Sequence, residues 1–206
     1  MNHTEFQRHV DVSRETFERL EAYVALMKKW NSAINLVSPS TISEIWTRHI
    51  LDSAQIYGIA PENPNIWCDL GSGGGLPALV VAIMAKEANP ELSVTCIESD
   101  LRKATFLRTV ARELDLKLSV RSERIEKAKP QKADVLSARA LASLDALCGF
   151  AERHLKPSGV AIFPKGENYR QEIDEALENW SFQLDTYPSK THPSAVILKI
   201  KEISRV

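Results

Sequence analysis

Between residues 14 and 56 apolar side chains return every three or four positions. Phe17, Leu20, Val24, Met27 and Trp30 trace one stripe, and Ile42, Ile45, Trp46, His49, Ile50 and Ser53 trace a second. That period predicts two amphipathic helices. Thr41 followed by Glu44 three residues later reads as a capping box that opens the second helix, and Pro61 and Pro64 close the region. Residues 1–60 are therefore expected to form an N-terminal helical extension. Beyond Pro64 the pattern changes to short apolar runs alternating with helical stretches, the signature of βαβ units and a mostly parallel sheet. The runs predict strands over 65–70, 93–98, 117–121, 134–138 and 160–164, with helices over 76–86, 101–114, 143–155 and 169–179. Two last runs, 182–187 and 195–200, are joined by too few residues for a crossover helix and predict an antiparallel hairpin. Residues 61–206 thus read as a Rossmann-like α/β domain, the two parts making one compact unit.

Composition narrows the class. The chain has 206 residues, 44% hydrophobic and 26% charged, with a net charge of −1, which is the make-up of an ordinary globular protein. The apolar run from Leu76 to Ala85 is about half the ~20 residues that a membrane-spanning helix requires. Glu5, Arg8, His9 and Asp11 stand where a signal peptide would have its apolar stretch, so a cytoplasmic protein with no membrane partner is expected. Cys68, Cys96 and Cys148 lack metal-ligand or redox spacing; they read as buried thiols, with no metal site. The charge is unevenly distributed. One Lys faces six acids between residues 61 and 100, whereas ten Lys and Arg face four acids between 101 and 132, giving either a local basic face or a solvated amphipathic helix.

The sharpest local feature is the segment from Asp69 to Pro77, with four glycines in the five positions 71–75. It sits between the first strand and first helix of the sheet, where open α/β folds bind nucleotide-like ligands. Glycine there permits positive φ and close approach of a ligand to bare backbone, and Pro77 suits the first turn of the following helix. Two ligands fit. Counted from Gly73, with Gly75 and Ala78, a dinucleotide fingerprint survives, which would make the chain a nicotinamide-dependent oxidoreductase. S-adenosyl-L-methionine is the other. Glu98, at the end of the second strand, suits the ribose hydroxyls of either, while Asp69 is expected to face the ligand's amino-acid end, and the local excess of acid suits a sulfonium and an ammonium better than a pyrophosphate.

Several longer strings resemble one family. They are Lys29-Trp30-Asn31 with Asn35-Leu36, Arg48-His49-Ile50-Leu51-Asp52-Ser53, Gly75-Leu76-Pro77, Arg102-Lys103 with Phe106-Leu107, Ser137-Ala138-Arg139-Ala140 with Ala142-Ser143-Leu144, and Lys165-Gly166. They run through nearly the whole chain and resemble the bacterial small-subunit (16S) rRNA guanine-N7 methyltransferases, the RsmG family, once called glucose-inhibited division protein B. The resemblance implies a class I S-adenosylmethionine-dependent methyltransferase fold: a mostly parallel seven-stranded sheet with a C-terminal antiparallel hairpin. It also implies cofactor contacts at Gly71, Leu76, Ile125, Glu126 and Arg139, beside Asp69, Gly73 and Glu98 from the residue reading. Two departures stand out: Gly71-Ser72-Gly73-Gly74-Gly75 where the family commonly has Gly-Thr-Gly-Pro-Gly, and Val37 where it commonly has Thr.

The chemistry the resemblance implies is undemanding in residues. Guanine N7 carries an in-plane lone pair, so methylation there requires neither a general base nor a covalent enzyme intermediate. The chain lacks the Pro-Cys nucleophile of cytosine-C5 enzymes and the Asn/Asp-Pro-Pro-aromatic element of amino-group methyltransferases. Arg139 is the expected orienting group, with Arg48 and His49 as weaker candidates. The implied substrate is 16S rRNA in the 30S subunit, with the guanine in a loop or splayed out. Arg102, Lys103, Arg108 and Arg112, with Arg121, Arg124, Lys127, Lys129 and Lys132, are candidates for phosphate contacts. A monomer is expected. A further rival is a non-catalytic RNA or cell-division adaptor that has kept the fold.

Overall fold

A computed structural model describes residues 1–206. Seven strands form one sheet: β1 Ile66–Leu70, β2 Ser93–Ile97, β3 Leu118–Arg121, β4 Ala133–Ala138, β5 Leu155–Lys165, β6 Trp180–Pro188 and β7 Val196–Arg205. Their spatial order is β3-β2-β1-β4-β5-β7-β6. The first five run parallel, and β7 lies antiparallel between β5 and β6. The hairpin therefore folds back so that its second strand, not its first, joins the parallel sheet.

Both faces of the sheet are covered, which is why its central strands are nearly continuous apolar runs. Trp67, Val94, Val135 and Ile162 pack on one side, against α2 (Arg14–Asn31), α3 (Asp52–Gly58), α4 (Ala78–Ala88) and α5 (Leu101–Glu113). Cys68, Leu70, Leu136 and Phe163 pack on the other, against α6 (Leu144–His154) and α7 (Tyr169–Leu177). The helices before residue 60 share one apolar core with α4 and α5: Phe17, Leu20, Tyr23 and Ile50 are buried together with Leu79 and Phe106. All three cysteines are free and buried. No helix is long and apolar enough to cross a membrane.

The predicted strands and sheet helices lie within a few residues of those observed, except that β5 starts at Leu155, where Gly159 lets the chain pass close to the Ala133 carbonyl, and that β7 runs on to Arg205. The extension differs more. A short helix α1, His3–Gln7, opens the chain on a capping box between Asn2 and Glu5. The single second helix expected from Thr41 is replaced by a 3-10 turn, Pro39–Glu44, then a π-helical turn, Trp46–Leu51, then α3. The Thr41 capping box does not form: its hydroxyl donates to the Ser38 carbonyl at 2.8 Å and stands 2.8 Å from His49 Nε2. Side chains from elsewhere in the fold claim this segment's polar groups, a common cause of departures from the α ladder. Pro77 sits one position earlier than expected, as N-cap of α4 rather than in its first turn.

Candidate active site

The glycine loop leaves β1 at the carboxyl end of the sheet. Gly71, Gly73 and Gly75 adopt φ of +60°, +53° and +88°, a region that costs other residues roughly 1–2 kcal/mol. The loop is held by its own backbone and by Glu98. Gly71 N donates to the Ile97 carbonyl at 2.8 Å, and Gly73 N donates to Glu98 Oε2 at 2.8 Å. The other carboxylate oxygen, Oε1, accepts from Asp100 N at 2.8 Å. Glu98 is only 8% exposed, so it is no ordinary surface carboxylate; it fixes the loop while each oxygen keeps a lone pair free. Leu76 is buried. Leu141 lies over the loop, its Cδ1 2.6 Å from where a Cβ at Gly71 would stand.

Asp69 stands within β1 and is wholly buried. Its Oδ1 accepts from Ser137 Oγ at 2.6 Å, and Ser137 Oγ in turn accepts from Trp67 Nε1 at 2.8 Å. Its Oδ2 is buried with no partner. Burial pushes this carboxyl up to about 7, against the lowering influence of Ser137, Ser72 and Arg139. A buried, unpaired carboxylate oxygen behind a glycine loop suits a cationic group such as an ammonium.

Ile125 and Glu126 lie in the turn between β3 and β4. Ile125 is half-buried and Glu126 is exposed. His154 Nε2 lies 3.1 Å from the Ile125 carbonyl, and Arg153 donates to the Ala128 carbonyl through Nε and Nη2 at 3.2 and 2.8 Å. The end of α6 thus braces this turn.

Arg139 follows β4 directly and has a side chain 20% exposed. Nη2 donates to His49 Nδ1 at 3.1 Å, while Nη1 donates to the Arg48 carbonyl at 3.2 Å and reaches Asp52 Oδ2 at 3.5 Å. The guanidinium has only donors, so His49 must accept through Nδ1 and carry its proton on Nε2, which donates to Thr41 Oγ1 at 2.8 Å. Burial and the neighbouring Arg139 and Arg48 lower the His49 pKa to about 4. Asp52 is held in turn by Gln55 Nε2 at 3.0 Å and Thr191 Oγ1 at 2.9 Å.

These groups line a cavity of about 1040 Å³ at the carboxyl ends of β4 and β5, bounded by the π turn and the loop between β6 and β7. Lys165 forms part of its wall. Its side chain, 8% exposed, donates to Glu172 Oε2 at 2.6 Å and to the Ala142 carbonyl at 2.9 Å. Glu172 Oε2 also accepts from Leu144 N at 2.9 Å. This brace fixes the segment after Arg139.

Of the residues singled out by sequence, Arg139, Arg48 and His49 come together in the cavity, and Gly71, Gly73, Leu76 and Glu98 gather around the loop. Ile125 and Glu126 line neither this cavity nor the loop's hydrogen bonds. The basic run is less free than its composition suggests. Arg108 is spent on the Val120 carbonyl and Ser122, Arg121 on Gln131, and Arg102 and Arg124 lie near Asp100 and Glu126. Sequence reasoning missed Asp52, Thr41, Lys165 and Glu172 as parts of the site. Asp52 did carry a signal, four residues after Arg48 on one helical face, whereas the others form their contacts only through the fold.

A parallel sheet ending in an inserted antiparallel strand, a glycine loop after β1 and a cavity over β4 and β5 define the class I methyltransferase fold. Solved structures agree in architecture. The O-methyltransferase from Bacillus cereus in complex with SAH superposes with a TM-score of 0.62 over 96% of each chain at 14% identity. A methyltransferase from Geobacter sulfurreducens gives 0.57 over 92% of this chain and 96% of that one, at 15% identity. The particular family follows from sequence. Residues 16–196 match the model of the rRNA small subunit methyltransferase G family, and the chain belongs to it. Ribosomal RNA small subunit methyltransferase G of Ruegeria sp. (strain TM1040) is 55% identical over 197 residues, 96% of each chain. That of Rhodospirillum centenum is 47% identical over 201 residues, covering 98% of this chain and 91% of its own.

Proposed function

We infer that the protein transfers a methyl group from S-adenosyl-L-methionine to N7 of a guanine in 16S rRNA of the 30S subunit. Family membership supports the substrate class, and the fit of the loop region supports the donor: positive-φ glycines, the lone pairs left on Glu98 and the unpaired Asp69 Oδ2 suit a ribose and an ammonium. Gly71, Gly73, Leu76, Glu98 and Asp69 are the residues assigned to hold the donor, with Ile125 and Glu126 beside its adenine and Arg139 where donor and substrate sites meet. When bound, S-adenosylmethionine supplies a methyl on a sulfonium, and the carbon–sulfur electron pair leaves with sulfur as N7 forms its bond to carbon.

The observation that carries this reading is the commitment of His49. Both its ring nitrogens are engaged, by Arg139 and Thr41, and its basicity is suppressed, so the histidine beside Arg139 is poorly suited to remove a proton. Alkylation at N7 removes none. The chain's work is then to orient and to exclude water, effects worth about 7–11 kcal/mol when the alignment is good. Arg139 is placed to hold guanine through O6, the acceptor beside N7. The nicotinamide and adaptor readings have no comparable observation in their favour.

The test supplies methyl-labelled S-adenosylmethionine and 30S subunits from cells lacking the protein, then locates the label. Label at N7 of one guanine of 16S rRNA is expected. Label on another atom, or on no RNA, would overturn the assignment.

A further inference from the structure

Gly74 lies between Gly73 and Gly75, both at positive φ. Glycine's own sterics fix φ and ψ weakly, so the backbone on either side of Gly74 has to be set by something outside the loop. Tyr23, in the middle of α2, does this. Its hydroxyl donates to the Gly74 carbonyl at 2.6 Å, fully buried, and is the one hydrogen bond joining the helical extension to the loop. The phenol ring is fixed from behind by Phe106, 6.5 Å away between centroids. The same helix holds the loop from a second side. Asn31 Oδ1 accepts from Leu36 N and Val37 N at 2.8 and 2.9 Å, placing Leu36 so that a Cβ at Gly74 would come within 3.2 Å of both its Cβ and its carbonyl oxygen.

We propose that Tyr23 is a positioning residue for the methyl donor: it acts through the Gly74 carbonyl to hold the loop in its ligand-binding form, and so makes donor affinity depend on the helical extension. This rests on the reading that the loop holds S-adenosylmethionine. The inference accounts for Asn31 and Leu36, part of the strings noted in the sequence, which otherwise have no task at the site. Removing the hydroxyl leaves the Gly74 carbonyl buried and unpaired, and the loop relieves that by shifting towards a form that binds the donor less well.

Tyr23→Phe keeps the ring and removes only the hydroxyl. Its dissociation constant for S-adenosylhomocysteine, by calorimetry, is expected to rise about five- to tenfold, and KM for S-adenosylmethionine to rise in parallel. The kcat at saturating donor and KM for the 30S subunit should stay within about twofold of the parent. Should Tyr23→Phe fail to fold, Phe106→Leu, which loosens the packing behind the Tyr23 ring that aims its hydroxyl at Gly74, carries the test with the same readouts. Donor affinity within twofold of the parent, or a fall in kcat with KM unchanged, would overturn the role of Tyr23. Failure of the parent protein itself to bind S-adenosylhomocysteine would instead overturn the donor assignment.

Discussion

Arg139 and His49, ninety residues apart in the chain, meet at 3.1 Å between Nη2 and Nδ1. The contact joins the end of β4 to the π turn of the helical extension and runs in one direction. Arg139 donates to His49, His49 to Thr41, and Thr41 to the Ser38 carbonyl. His49 and Thr41 each spend their proton on the next group, while Arg139 keeps N–H donors beyond those given to His49, the Arg48 carbonyl and Asp52, so the guanidinium is held at the mouth of the cavity with donors to spare.

Replacing Arg139 with Ala should lower kcat/KM for methyl transfer by about 10²–10³-fold, the usual scale for loss of one oriented donor in a site. It also leaves Asp52 without its cation, so thermal unfolding should fall by a few degrees rather than stay unchanged. Turnover and a melting curve on the same sample check both; near-normal turnover would remove Arg139 from the chemistry.

His49 gives stability a pH signature. Its folded pKa, about 4, lies below the ordinary 6.5, so the unfolded chain binds the proton first. Its contribution is fully present above about pH 6.5 and is lost as pH falls towards 4. Denaturant midpoints between pH 4 and 7.5 should show this decline, and His49→Gln should flatten it.

Asp69 acts in the opposite sense. Its folded pKa of about 7 lies above the ordinary 3.8, so the native state binds the proton more tightly, and ionising the buried carboxyl costs stability progressively between pH 3.8 and 7. The stability of Asp69→Asn relative to the parent should therefore rise across that range and level off above it. A ligand ammonium favours the ionised form, so S-adenosylhomocysteine affinity should increase with pH up to about 7 in the parent and lose that increase in the variant. A pH-independent parent affinity would argue against Asp69 as the ammonium partner.

With several arginines of the basic run engaged internally, Lys127, Lys129 and Lys132, all exposed, are the cations best placed to meet phosphates. Converting all three to Glu should weaken binding to 30S subunits and reduce the slope of log affinity against log salt by about 2–3. Equal slopes for parent and variant would exclude this face.

The sheet is legible in the chain because buried parallel strands need continuous apolar runs. Segments such as Ile66–Leu70 and Ala133–Ala138 carry their burial in their composition. The stretch from Pro39 to Leu51 is not legible in the same way. Its apolar spacing suits an α-helix, yet Thr41 turns to His49 and the Arg48 carbonyl accepts from Arg139, the latter a partner that no local window contains. The glycine loop announces a ligand-binding turn but not the burial of Asp69, which depends on how β1 pairs with β4 and brings Ser137 alongside.

The sequence by itself determined the class of fold, the order of the elements after Pro64, the place of the glycine loop and the family, because periodicity and short motifs are local properties of the chain. Only the tertiary structure decided which polar groups meet: Arg139 with His49, Asp52 with Thr191, Tyr23 with Gly74. Those pairs lie between 51 and 139 residues apart, and they form only when the helical extension docks on the sheet and buries groups that then require partners.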